Sequence, residues 1–436
     1  MKVYLVGGAV RDELMGVESK DRDYVVVGST HEEMVSLGYE QVGASFPVYL
    51  HPETKEEYAL ARTERSTGSG YHDFEVVFGP DVTIEEDLHR RDLTINSIAK
   101  DLETGEYIDP FGGMRDLQKR ILRQTGVNTM RDDPLRTYRL ARLFARLGGK
   151  FVIDHSTMYC AKEAAPRLSA LPKERKLAEI RKCFQDQSSD NRPSLMVDML
   201  CTLGEMPEVN NLKGVLQPAA HHPEGDAYVH TLLCLDYAQR LMSSPEVKWA
   251  VLCHDLGKVQ FFEYGNLHGH EEGGLPYVQA MNERFGVPNL WADLAWRVCA
   301  DHTKMHRINE MKPRKVFDLM TRIKANKDDK FAMKFMEACL CDARGRGPEK
   351  MFDNYDQTHV LWAGVVELHK HRVEVSEQCK EIADRLRGRR ELIAQEVRSV
   401  KIKYVARAMT RVKAEIKKLR EEEGYDGNDL PVWRLY

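Results

Sequence analysis

Apolar and polar positions alternate in short runs at the start of the chain and recur at helical spacing later. Val3–Val6 and Tyr24–Val27 are β-branched runs bounded by glycines and charges, a pattern that predicts strands. Val10–Leu14 has room for one or two helical turns between them. Val48–Arg62 and Phe74–Phe78 read as further extended runs. The turns between these runs are short, so a small mixed or antiparallel sheet is expected. Ser66-Thr67-Gly68-Ser69-Gly70 reads as a loop. Thr83–Lys100 predicts a helix, capped by Thr83, with Glu85, Glu86 and Asp87 at its positive end.

From Asp132 the strand signals fade. Pro134 can open a helix, and Leu135–Leu147 has helical periodicity. Amphipathic helices then follow, broken near Pro166, Pro172, Pro193, Pro218, Pro223, Pro288 and Pro313. The fold class expected is α+β: a mixed or antiparallel sheet with helices, then an all-α remainder. The segments expected are a head over 1–125, a helical neck and body over 126–220, a histidine-rich unit over 221–345 and a helical tail over 346–436.

Composition narrows the function classes. The chain has 436 residues, with 64 Lys+Arg against 68 Asp+Glu, a net charge of −4. A whole-chain basic field is excluded, so nucleic acid must meet a local patch. One such patch is 401–420, with eight Lys/Arg and one Glu; a solvated helix face is the plainer alternative. No run approaches the roughly 18 apolar residues of a membrane span. The N-terminal apolar run ends at Arg11, too soon for a signal peptide. Nine scattered cysteines suggest free thiols in a reducing cytoplasm, and no second pair joins Cys339 and Cys341 in a zinc site.

Three clusters carry candidate chemistry. Gly7-Gly8 follows a predicted strand, and Arg11 comes one turn on; the pair lets backbone N–H groups approach a phosphate that Arg11 can clamp. A plain Gly-Gly turn with a surface arginine is the alternative. Asp21 and Asp23 share one side of an extended strand entrance, where paired acids repel unless cations lie between them. Two Mg²⁺ ions shared with nucleotide phosphates meet that need. Arg91 is a candidate phosphate ligand within Arg90-Arg91-Asp92, taken as helical. Asp133, Arg136 and Arg139 are spaced by three and are expected to line one helix face. Asp133 only accepts and Arg136 only donates, which complements cytosine and adenine and leaves uracil and guanine mismatched. An i,i+3 ion pair on a helix surface is the alternative.

In order and spacing, Gly7–Asp12, Asp21–Gly28, Arg90–Asn96, Asp109–Gly113 and Asp132–Arg139 resemble the class II tRNA nucleotidyltransferases, the CCA-adding enzymes, of the bacterial type with an HD domain. The resemblance implies a polymerase β-like head and untemplated addition of C, C and A to the tRNA 3′ end from CTP and ATP. It implies nucleotide binding by Gly8, Arg11, Arg91, Arg136 and Arg139, and Mg²⁺ binding by Asp21 and Asp23. Glu57 is the nearest match to a third acid on a neighbouring strand. The template is usually Glu-Asp-x-x-Arg; here Asp132 replaces the glutamate, while Asp133 and Arg136 match. Glu174-Arg175 with Glu179 resembles the helical motif that braces it.

In the histidine-rich region His230, His254-Asp255 and Asp342 stand in the order H…HD…D. Mixed nitrogen and oxygen ligation suits transition metals such as Mn²⁺, Co²⁺ or Ni²⁺ rather than Ca²⁺. His268, His270, Asp301 and His302 are further candidates. Around His254, LCHDLGK resembles the HD phosphohydrolases, which implies phosphatase and 2′,3′-cyclic phosphodiesterase activity. Rival readings are a poly(A) polymerase, an enzyme adding only CC or only A, and an HD phosphohydrolase with a non-catalytic RNA-binding head.

Overall fold

A computed structural model describes residues 1–19, 21–42, 48–66, 74–261, 267–325 and 327–422. The expected loop lies outside them from Thr67 onward. The chain divides into two units, Met1–Cys183 with Asp190–Glu205 and Phe184–Ser189 with Met206–Tyr436.

The first unit opens with β1 (Lys2–Val6), α1 (Gly8–Leu14), β2 (Asp23–Val27) and α2 (His31–Ser36). β3 (Glu40–Val42), β4 (Val48–Leu50), β5 (Glu57–Leu60), β6 (Arg62–Ser66) and β7 (Phe74–Phe78) follow. Then come α3 (Ile84–His89), β8 (Ala99–Asp101), β9 (Tyr107–Ile108), α4 (Gly113–Lys119) and β10 (Ile121–Leu122). Among the described residues one mixed sheet runs β3-β4-β5-β2-β1-β8-β9, as the short runs predict. β2 and β5 are parallel. Alternation sorts the side chains onto two faces. Leu5, Tyr24, Val26 and Leu60 pack with Val10 of α1 and Met34 of α2. Tyr4, Val6, Val25 and Ala99 pack with Ile84 and Leu88 of α3.

Two expectations need correction here. The helix from Thr83 stops at His89 rather than Lys100. Thr83 caps it in a reciprocal box with Glu86, as read. Ala99–Asp101 leaves the helical path because it pairs with β1 along the sheet edge. Val48–Arg62 is three strands, because Lys55 takes a left-handed φ of 59° in the turn after β4.

The rest of this unit is helical: α5 (Thr129–Asp132), α6 (Leu135–Arg146), α7 (His155–Ala164) after the short β11 (Val152–Ile153), α8 (Lys173–Gln185) and α9 (Pro193–Thr202). α6 buries Leu135, Tyr138, Leu140, Ala141 and Ala145, and packs on α9.

The second unit carries α10 (Pro207–Asn210), α11 (Ala227–Arg240), α12 (Pro245–Cys253), α13 (His270–Phe285), α14 (Asn289–His306), α15 (Pro313–Arg322) and α16 (Asp329–Arg344). From Val247 to Cys253 every residue of α12 is buried, which makes it the central rod of this unit. Lys248 tolerates that position because its Nζ donates to Phe184 O and Gln239 Oε1, at 2.7 and 2.6 Å. α17 (Gln357–Lys370), α18 (Arg372–Arg385) and α19 (Arg390–Glu422) form the tail. Part of its basic patch turns inward: Arg411 pairs with Glu367, and Arg420 with Asp356.

Candidate functional site

In the head, Asp23 opens β2 and is the register partner of both Val6 on β1 and Glu57 on β5. Asp23 and Glu57 are exposed, and their register puts both on the α3 side of the sheet. Asp21 is also exposed, but it precedes the strand, so the two aspartates do not share a strand face as expected. Carboxylate oxygens at this edge suit a hard cation such as Mg²⁺.

The glycine pair sits against two arginines. Gly7 has φ +73°, and a Cβ there would lie 2.9 Å from Arg91 Nη1. At Gly8 a Cβ would lie 3.4 Å from Arg11 Nη2. Arg91 follows α3 rather than lying on it, and Asp87 holds it at 3.2 Å. Its buried Nε has no hydrogen-bond partner. Burial lowers the Arg91 pKa, opposed by Asp87, a carboxylate that Arg91 shares with Arg90. Arg11 is buried and bonded to Asp12 and Asn96.

Asp133, Arg136 and Arg139 come together differently from the expectation. Asp133 has an extended backbone and precedes α6; its Oδ1 accepts from Leu135 N at 3.0 Å. Pro134 has no N–H, so that side chain serves the helix start instead. Arg136 donates to Arg90 O at 2.7 Å. Arg139 pairs with Asp92 at 2.7 Å, Arg142 with Glu179 at 2.6 Å and Arg146 with Asp12 at 2.9 Å. Asp92 is 6% exposed. Burial alone would raise its pKa, but Arg139 and Asn96 hold it well below the usual carboxylate range.

In the second unit the four expected ligands converge and two further histidines join them. His230 (α11) places Nε2 3.1 Å from Asp342 Oδ1 (α16) and 3.3 Å from His254 Nε2. Asp255 Oδ2 is 3.0 Å from His254 Nε2, and Oδ1 is 3.4 and 3.5 Å from Nε2 of His270 and His302. Asp255 thus faces two nests of ligand atoms, one on each oxygen. It is 1% exposed, and neither oxygen has a well-formed hydrogen bond. Lys258 Nζ stands 2.6 Å from Oδ2.

The tautomers can be assigned from the acceptors. His254, His270 and His302 turn Nδ1 to the carbonyls of Val251, Leu267 and Val298. A carbonyl only accepts, so each Nδ1 carries hydrogen and Nε2 is the ring nitrogen turned into the nest. The Nε2 atoms of His254 and His230 stand 3.3 Å apart, as do those of His270 and His302. Gathered nitrogen and oxygen atoms of this kind could hold a metal cation in each nest. Gly257 permits the close fit: a Cβ there would lie 1.9 Å from His270 O and 2.5 Å from Gly274 N.

Residues 3–123 match the family described as Poly A polymerase head domain, and residues 227–344 match the HD domain. A multifunctional CCA protein of Paraburkholderia phytofirmans is 40% identical over 92% of this chain and 99% of its own length. The chain belongs to the multifunctional CCA protein family. Another member, from Methylobacillus flagellatus, is 45% identical over 79% of this chain and 84% of its own. Among solved structures, a Thermotoga maritima CCA-adding enzyme complexed with tRNA shares the fold at 19% identity. Its TM-score is 0.58, over 95% of this chain and 91% of that one. A CCA-adding enzyme with CTP gives a TM-score of 0.59 at 19% identity, over 97% and 92%.

In this member of the multifunctional CCA family, sequence reasoning missed several supporting groups. Asp87 is fully buried and holds both Arg90 and Arg91. His306 bonds Asp342 Oδ2 at 2.5 Å, and Tyr355 fixes its other nitrogen at 2.7 Å. Burial lowers the His306 pKa, and Asp342 opposes that shift. Cys234 joins the first nest, but burial pushes its thiol well above the usual range, so it stays protonated. His268 lies outside both nests among the described residues. The HGH spacing marks His270, whereas nothing near Asp87 or His306 distinguishes either from an ordinary helix residue. No described helix is long and apolar enough to cross a membrane.

Proposed function

We propose that the head adds C, C and A to the tRNA 3′ end from CTP and ATP without a nucleic-acid template. The observation that carries this reading is the edge where Asp23 and Glu57 stand in register beside the Gly7-Gly8 turn and Arg91, whose buried Nε has no hydrogen-bond partner. Asp21 and Asp23, with Glu57, would hold Mg²⁺, which when bound would supply positive charge for activating the 3′-hydroxyl and for steadying the leaving pyrophosphate. Gly8 and the helix start behind it admit the triphosphate, and Arg91 Nε gains the acceptor it lacks. Arg11 adds its charge from beneath Gly8.

Base choice rests on Asp133 and Arg136. Asp133 spends one oxygen on Leu135 N and offers the other to the exocyclic amine of cytosine or adenine. Arg136 donates to the ring acceptor beside it. Arg139 fixes the helix register through Asp92. The tail, with the outward cations of Lys401–Arg420, grips the tRNA backbone.

The second unit is a metal-dependent phosphohydrolase acting on 2′,3′-cyclic phosphates and phosphomonoesters. His230, His254, Asp255 and Asp342 hold a transition metal such as Ni²⁺, Mn²⁺ or Co²⁺, with His270 and His302 on the second oxygen of Asp255. The protein works in the cytoplasm, a reading supported by a tRNA substrate and by cysteines that form no disulfide among the described residues. The deciding experiment incubates tRNA ending at the discriminator base with Mg²⁺ and each NTP, alone and combined, and sequences the 3′ ends. Growth by C, C and A only supports the reading; A-tails, or CC alone, point to the rival polymerases. No growth at all leaves the hydrolase as the whole activity.

A further inference from the structure

His230 differs from its companions in what holds its ring. The other three nest histidines give Nδ1–H to neutral main-chain carbonyls, at 2.7 Å for His254 and His270 and 3.0 Å for His302. His230 Nδ1 instead stands 2.7 Å from Oε1 of Glu224, a carboxylate whose side chain is 2% exposed. The same oxygen lies 2.9 Å from His222 Nδ1. Glu224 comes from the segment leading into α11. That segment is closed on itself by Gln217 N to Gly225 O and Ala227 N to Val215 O, both at 2.9 Å. Asp226 fastens its end by capping α11 at Val229 N.

We infer that Glu224 is a positioning residue for metal binding at His230; the inference rests on the metal reading of the histidine nests. Glu224 takes the Nδ1 hydrogen and so fixes the tautomer whose Nε2 lone pair points at His254 and Asp342. Its charge makes that nitrogen a stronger donor than an imidazole backed by a carbonyl. The orphan oxygen supports this. Glu224 Oε2 is buried and has no hydrogen-bond partner. A buried carboxylate with one oxygen unused is costly unless positive charge stands close by. A divalent cation on the far side of the His230 ring would supply it. His222 keeps Glu224 from rotating away and is the outer clamp of a His222–Glu224–His230 chain. Metal occupancy is thereby tied to the order of the whole segment 214–226.

The test uses the full chain stripped of metal and titrated with Co²⁺, followed by calorimetry and by visible absorption. Glu224→Ala is expected to weaken Co²⁺ binding by about 10- to 100-fold. Glu224→Gln keeps the size and one acceptor oxygen but loses the charge, so its affinity falls between wild type and Glu224→Ala. In both variants the Co²⁺ absorption bands shift, because the ligand field at Nε2 changes; a role confined to packing moves neither the bands nor the order of affinities. Glu224→Gln with an unchanged melting curve, wild-type affinity and wild-type bands overturns the inference while wild-type Co²⁺ binding preserves the metal reading. A wild-type chain that takes up no Co²⁺ overturns both.

Discussion

Asp23 and Glu57 are register partners on β2 and β5, the one parallel pair of the head sheet among the described residues. Parallel partners point to the same side of a sheet, so these acids are neighbours although thirty-odd residues separate them. Two carboxylates brought together at an exposed edge suit a hard cation such as Mg²⁺.

The first prediction follows from that pair. Asp23→Ala should lower nucleotide addition by about 100-fold or more, since a charge-stabilising group at the reacting phosphate is lost. Glu57→Gln should cost less but in the same direction. Hydrolysis by the second unit should persist in both variants. Near-normal incorporation of labelled CTP by Asp23→Ala would remove the metal assignment.

Hydrolase activity should depend on the residue that joins the two nests. Asp255→Ala or His254→Ala should abolish transition-metal-dependent hydrolysis of 2′,3′-cyclic phosphates and spare CCA addition. Chelation of the wild-type chain should do the same, with recovery on adding back Ni²⁺, Mn²⁺ or Co²⁺. Full-rate hydrolysis after chelation contradicts the assignment.

Base selection gives a prediction with an internal control. Asp133→Ala removes both the acceptor for an exocyclic amine and a bond to the start of α6. C and A incorporation should fall together, and rejection of UTP should relax, by about 5- to 150-fold in relative kcat/KM. Assays with all four NTPs on tRNA lacking its CCA end measure this. A stability loss with unchanged nucleotide ratios would show that Asp133 only caps the helix.

The Asp92–Arg139 pair predicts an acid dependence. Arg139 holds the Asp92 pKa below its unfolded value, so the pair's stabilisation is present above the unfolded pKa and fades as pH falls through the folded one. The loss begins below about pH 4. Asp92→Asn should therefore lower the melting temperature of the head at pH 7, and the gap to wild type should narrow in acid. A gap that stays constant from pH 7 to acid would mean that Asp92 acts by shape alone.

The sequence was most legible where chemistry needs a fixed local spacing. The β1 and β2 runs and the Thr83 cap hold contiguous signals, and each appears at its expected place. Less legible was whatever depends on partners far along the chain. β8 looks helical because Ile95 and Ile98 fit a helical stripe, yet pairing with β1 decides its conformation. Asp133 has the spacing of a helical residue, but Pro134 moves the helix start beyond it. Asp87, Glu224 and His306 act through residues brought to them by folding, and no local pattern announces such contacts.

The absent side chain at Gly257 bears on how this protein can change over generations. One methyl group there would collide with the main chain of α13 and push Asp255 away from His270. A single-base change turns a glycine codon into an alanine codon. The hydrolase thus stands one common mutation from silence, while the head's acids and arginines lie in the other unit, untouched by that change. A lineage under no selection for the hydrolase could shed it in one step and keep its tRNAs mature.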